Sequence, residues 1–79
     1  MIEGKKSFPV LLEELRTARH ISKTNLARLA NLTPGYISHL TRGERTAPSE
    51  ETVWALAAAL QLDEGTCLAL FESAGLAYT

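Results

Sequence analysis

All eight lysines and arginines of this chain lie at or before Arg45, and none follows. Ammonium and guanidinium groups gathered in one half of a sequence have one main chemistry, the attraction of anions. Residues 1–45 set eight basic side chains against four acidic ones, a net of +4, while residues 46–79 carry five acids and no base, a net of −5. The overall charge of −1 therefore conceals a positive working face and an acidic remainder. Lys23, Arg42 and Arg45 are the cations best placed to meet phosphate, and the Tyr36 hydroxyl can join them while its ring covers apolar surface. Arg28, Lys5 and Lys6 add field without direct contact. Catalytic chemistry is poorly supplied. One cysteine, two histidines and scattered carboxylates form no triad, no metal-ligand spacing and no phosphate loop. The chain does not read as an enzyme, and no cofactor or metal is expected.

The elements that position these groups read as helices throughout, because apolar residues recur at a 3.6-residue spacing and no segment alternates like a strand. A first helix is expected over 8–19, capped by Ser7, with Pro9 in its first turn and Phe8, Leu11, Leu12, Leu15 and Ala18 as its apolar stripe. Ser22 caps a second, over 23–30, with Leu26, Ala27 and Ala30 inward. Asn31 tolerates the left-handed conformation that ends helices, and Leu32 plugs the core behind it. Thr33 and Pro34 then open a new helix over 34–41, since proline presets the backbone at a first helical position and loses no needed hydrogen bond there. Ile37 and Leu40 face inward, and Gly43 closes the helix. Two helices joined by three residues must cross steeply, which is helix-turn-helix geometry. Ser49, followed by Glu50 and Glu51, starts a helix over 50–61 with Val53, Leu56, Ala57 and Leu60 inward. Asp63 caps a last helix over 64–74, carrying Leu68, Phe71 and Ala74, and Gly75 ends it.

Seventy-nine residues make one domain, 1–79, with the helix-turn-helix unit at about 23–41 and a short N-terminal arm, 1–7. Cys67 cannot form an internal disulfide and suits a reducing compartment as a small buried hydrophobe. No signal peptide is legible, and the longest apolar run, 53–60, falls far short of the roughly 20 residues of a membrane span. A soluble cytoplasmic protein is expected.

The stretch from Ile21 to Leu62, ISKTNLARLANLTPGYISHLTRGERTAPSEETVWALAAALQL, resembles the Cro/Xre, or λ-repressor-like, helix-turn-helix family. The matching features are Leu26-Ala27, the Thr33-Pro34 start, Tyr36-Ile37-Ser38, Leu40, Arg42-Gly43, Pro48-Ser49 and the Leu-Ala pattern at 56–62. The likeness extends from Leu11 to Ala74. It implies an all-α, compact five-helix DNA-binding domain that regulates transcription, usually as a two-fold dimer on a palindromic operator. Three positions depart from the family pattern: Lys23 stands where glutamine is common, Asn31 where glycine is usual, and Thr41 where a glutamate often pairs with an arginine on the first helix. Arg16 occupies that arginine position, so it needs another partner, for which Glu44 is the candidate, or stays partly exposed.

By the same resemblance the base-reading positions correspond to Pro34, Gly35, Ser38 and His39, and Thr33 joins Lys23, Tyr36, Arg42 and Arg45 among the phosphate contacts. His39 is the best candidate for a base edge; His20, near the end of the first helix, has no functional role. The acidic half should point away from DNA. Its Trp54, Leu70, Leu76 and Tyr78 are candidates for a homodimer interface through the last helix and tail. The expected function is that of a sequence-specific, repressor-type regulator placing 34–41 in the major groove. The alternative is a protein-interaction or adaptor module on the same scaffold, antitoxin-like roles included, with weak or no DNA binding.

Overall fold

The computed structural model describes residues 7–43 and 48–76. Among these the elements are α1 (Phe8–Ala18), α2 (Lys23–Ala30), α3 (Pro34–Arg42), α4 (Glu50–Leu60) and α5 (Glu64–Ser73), with no strand. Each boundary lies within a residue of the expected one. Arg45 and Tyr78, singled out from the sequence, lie outside the described residues.

The helix starts follow side-chain chemistry. Ser22 Oγ accepts from the Asn25 amide at 3.0 Å, Thr33 Oγ1 from Tyr36 at 3.1 Å, Ser49 Oγ from Thr52 at 3.1 Å and Asp63 Oδ1 from Thr66 at 2.8 Å. Each bond satisfies an amide that has no partner inside its helix. Ser7 departs from expectation: its backbone has the extended N-cap conformation, but its side chain makes no capping bond. Pro9, in the first turn of α1, removes one of the donors that a cap would serve.

The helix ends share one device. After α1, α2, α4 and α5 a residue turns left-handed, and the next amide reaches back to a carbonyl five residues earlier: Ile21 to Arg16 (3.2 Å), Leu32 to Ala27 (2.7 Å), Leu62 to Ala57 (3.1 Å) and Leu76 to Phe71 (2.9 Å). This Schellman closure recovers orphan carbonyls and swings an apolar residue back onto the helix it ends. Ile21, Leu32, Leu62 and Leu76 all pack against the core. The left-handed residues are His20, Asn31, Gln61 and Gly75. At the end of α3, Gly43 has φ 75°, and a Cβ there would meet Pro9 Cγ at 3.4 Å. The left-handed φ is what calls for glycine there, since the added Cβ would make only ordinary contact with Pro9 where the last turn of α3 meets the first turn of α1.

α2 packs on α3 and α4, α1 on α3 and α5, and α4 on α5. Leu12, Leu26, Ile37, Leu40, Val53, Leu56, Leu60, Leu70 and Phe71 are essentially inaccessible at the centre. The expected stripes hold for α2, α3 and α4. Two expectations fail. Ala18 is exposed, at the last residue of α1. Leu68 is also exposed, while Cys67, Leu70 and Phe71 are buried. Residues 67–71 of α5 are apolar without interruption, so periodicity cannot select a face; packing against α1 and α4 does. Leu70, fully buried, is accordingly removed from the surface proposed for dimerisation.

Candidate nucleic-acid interface

α3 is held from behind by Ile37 and Leu40, which are fully buried. That anchorage turns Thr33, Pro34, Gly35, His39 and Arg42 to the exterior, with Tyr36 and Ser38 half-buried at the margins. Thr33, Gly35, Tyr36 and His39 line a shallow open depression of about 390 Å³. The structure therefore brings together two expected base readers, Gly35 and His39, and two expected phosphate contacts, Thr33 and Tyr36. Pro34 and Ser38 stand on the same helix outside the depression. Arg42 lies exposed in the last turn, where a cation also suits the helix dipole. Lys23 is the first residue of α2 and is half-buried.

The charges at the helix starts divide the molecule. α4 opens with Glu50 and Glu51, and α5 opens with Glu64 behind its Asp63 cap. α1, α2 and α3 have no acid in their first turns, and α2 and α3 are capped by the neutral Ser22 and Thr33. A helix N-terminus carries partial positive charge and unpaired amides. In α4 and α5 carboxylates answer that charge internally. In α2 and α3 the charge is left to the outside, and Lys23 adds to it.

Arg16 takes partners that the sequence reading did not assign. Its Nε donates to Glu13 Oε1 at 3.2 Å, its Nη2 pairs with Glu13 Oε2, and its Nη1 donates to the Ile21 carbonyl at 2.8 Å. The expected partner, Glu44, lies outside the described residues. The legible signal was the i,i+3 spacing of Glu13 and Arg16 on one helix face. The hydrogen bonds from Arg16 hold the Glu13 carboxyl below its ordinary value, and the charges of Arg16 and Lys23 act in the same direction. On the outer face of α2, Arg28 donates to Asn25 Oδ1 at 3.1 Å. Among the described residues no group of His, Cys, Asp and Glu has the makings of a metal site, and no helix is long and apolar enough to cross a membrane.

A five-helix bundle in which α2 and α3, each with one buried and one exposed side, are joined by a three-residue turn defines the class of helix-turn-helix proteins. The sequence model of the helix-turn-helix family matches residues 12–66. In the crystal structure of the restriction-modification controller protein C.AhdI from Aeromonas hydrophila, a similar chain is 35% identical, with a TM-score of 0.70 over 76% of this chain and 89% of that one. No curated protein matches the chain significantly. The chain belongs to the Cro/C1-type helix-turn-helix family of DNA-binding transcription regulators.

Proposed function

We propose that the protein is a sequence-specific regulator that lays α3 in the major groove of an operator, acting as a repressor-type protein. One observation carries this reading: α3 presents an exposed face and, like α1 and α2, starts free of acid, whereas the starts of α4 and α5 are acidic. A groove about 12 Å wide admits such a helix, N-terminal residues first. Pro34, Gly35, Ser38 and His39 are the base-facing set. Lys23, Thr33, Tyr36, Arg42 and Arg45 are the phosphate set. The base-facing set lacks the arginine, asparagine and glutamine that make bidentate pairs, so backbone contacts dominate affinity and salt weakens it steeply.

Exposed Trp54 on α4 and Leu68 on α5 supply apolar surface, and Leu76 follows. A groove of about 420 Å³ runs between the two helices, lined in part by Trp54, Ala58 and Leu62. This face is our candidate for a two-fold contact that sets two α3 helices about 34 Å apart. A protein-interaction or antitoxin-like module would use the same face, which keeps that second reading in play.

Fluorescence anisotropy with random duplex at low salt separates the readings. A DNA binder shows a Kd of about 10⁻⁴–10⁻⁶ M or tighter; no binding under these conditions refutes the function proposed. Sedimentation tests the dimer, and a strict monomer at high concentration with DNA present rules it out.

A further inference from the structure

We propose that Arg16 is a positioning residue that keeps the Glu13 carboxylate off Lys23, so that Lys23 remains available to a DNA phosphate. The inference rests on the DNA-binding reading above and concerns residues that reading leaves without a role.

Glu13 is the carboxylate that could compete for the positive end of α2. That end carries a lysine at its first position, where the helix dipole disfavours a cation, and has no acid in its first turn. A carboxylate within electrostatic reach of Lys23 would relieve that strain internally. Glu13 is such a carboxylate, because the Arg16 that binds it also bonds the Ile21 carbonyl, two residues before Lys23, and the Lys23 charge adds a small pull of its own. Yet both of its oxygens are taken by Arg16. The arginine has little freedom to let go. Its side chain is only 14% exposed, against 39% for Glu13, and its third contact ties it to the Ile21 carbonyl, two residues before α2 begins. A planar guanidinium with several fixed donors can serve a carboxylate and a carbonyl together; an ammonium cannot hold both in the same geometry. Glu13 is thus neutralised from the α1 side, and the cation on α2 stays free to meet an external anion.

The test uses the full chain, short duplexes and the dependence of affinity on salt. Lys23→Gln should lower the salt slope by about 1 and weaken binding roughly tenfold at 50 mM salt, as expected for one lost phosphate contact. Arg16→Gln should produce nearly the same loss, because the released Glu13 pairs with Lys23. Adding Glu13→Gln to Arg16→Gln should restore both slope and affinity. Adding Glu14→Gln instead, which gives the same net charge, should not. Circular dichroism fixes a temperature at which every variant is folded. Should Arg16→Gln not fold, Arg16→Lys replaces it, and the loss caused by Lys23→Gln should shrink in that background. Restoration by Glu14→Gln equal to that by Glu13→Gln, or no restoration by either, overturns the proposal while leaving DNA binding intact. An unchanged slope for Lys23→Gln overturns both the proposal and the phosphate role of Lys23. Absence of any duplex binding by the unmodified chain overturns the functional reading itself, and the proposal with it.

Discussion

The Arg19 guanidinium donates to the Gln61 carbonyl at 3.1 Å, joining the end of α1 to the end of α4 across 42 positions of sequence. Each partner sits at a left-handed turn, Gln61 in one itself (φ 55°) and Arg19 directly before another, His20 (φ 58°). The bond ties together two chain reversals rather than two helix faces. It is exposed, so Arg19→Ala should cost only about 0.5–1 kcal/mol, read as a lowered midpoint in urea with unchanged slope.

Gln61 carries a strain that glycine would relieve. A residue with a Cβ in the left-handed region costs about 1–2 kcal/mol, part of which a glycine returns through the greater freedom of the unfolded chain. Gln61→Gly should therefore raise stability by about 0.5–1 kcal/mol. Asn31→Gly should gain less, because asparagine tolerates that region. Equilibrium denaturation of the two variants checks the order.

Gly35 should separate stability from recognition. A Cβ built there meets no atom within 4 Å, so nothing inside the fold requires glycine. Gly35→Ala should leave stability unchanged or raise it by up to about 1 kcal/mol, while weakening binding to a selected duplex through loss of close approach. Improved binding together with improved stability would count against α3 as the reading helix.

His39 and Arg42 lie a turn apart on α3 and should behave differently. His39→Ala should cost about 1–3 kcal/mol on the preferred site and relax one base position. Arg42→Ala should weaken binding to every sequence and lower the salt slope by about 1. Parallel titrations on selected and random duplex distinguish the two patterns.

Acid should destabilise the fold through Glu13 and Asp63. Both carboxyls are held below their ordinary values of 4.5 and 3.8, Glu13 first by the Arg16 hydrogen bonds and Asp63 first by the Thr66 amide. The unfolded chain therefore takes up these protons before the folded one does. Their contribution is complete above the ordinary values and is lost as pH falls through the lower folded values. Thermal midpoints should hold between pH 7 and about 5 and decline below about 4.5. For Glu13→Gln the part of that decline due to this carboxyl should disappear.

Much of the scaffold was legible because local chemistry wrote it. Ser22, Thr33, Ser49 and Asp63 cap because a short side-chain oxygen beside a helix start has an amide within reach, whatever packs nearby. Asn31, Gly43 and Gly75 end helices for an equally local reason. Gln61 performs the same task without announcing it, since glutamine does not favour the left-handed region; histidine is enriched there with asparagine and aspartate, so His20 carried a signal of its own. The apolar Ile21 and Leu62 that follow them, swung back onto the core, mark the two turns as well.

The sequence by itself determined the number of helices, the turn between α2 and α3, and the separation of basic from acidic halves, because capping, proline geometry and charge act over a few residues. Tertiary structure alone decided which face of α5 is buried, since an unbroken apolar run from Cys67 to Phe71 prefers no side until α1 and α4 press against it. It likewise decided the second partner of Arg16. Helical spacing alone sets Glu13 one turn earlier within reach, but the Ile21 carbonyl at the threshold of α2 becomes an acceptor only once the chain has folded back beyond α1.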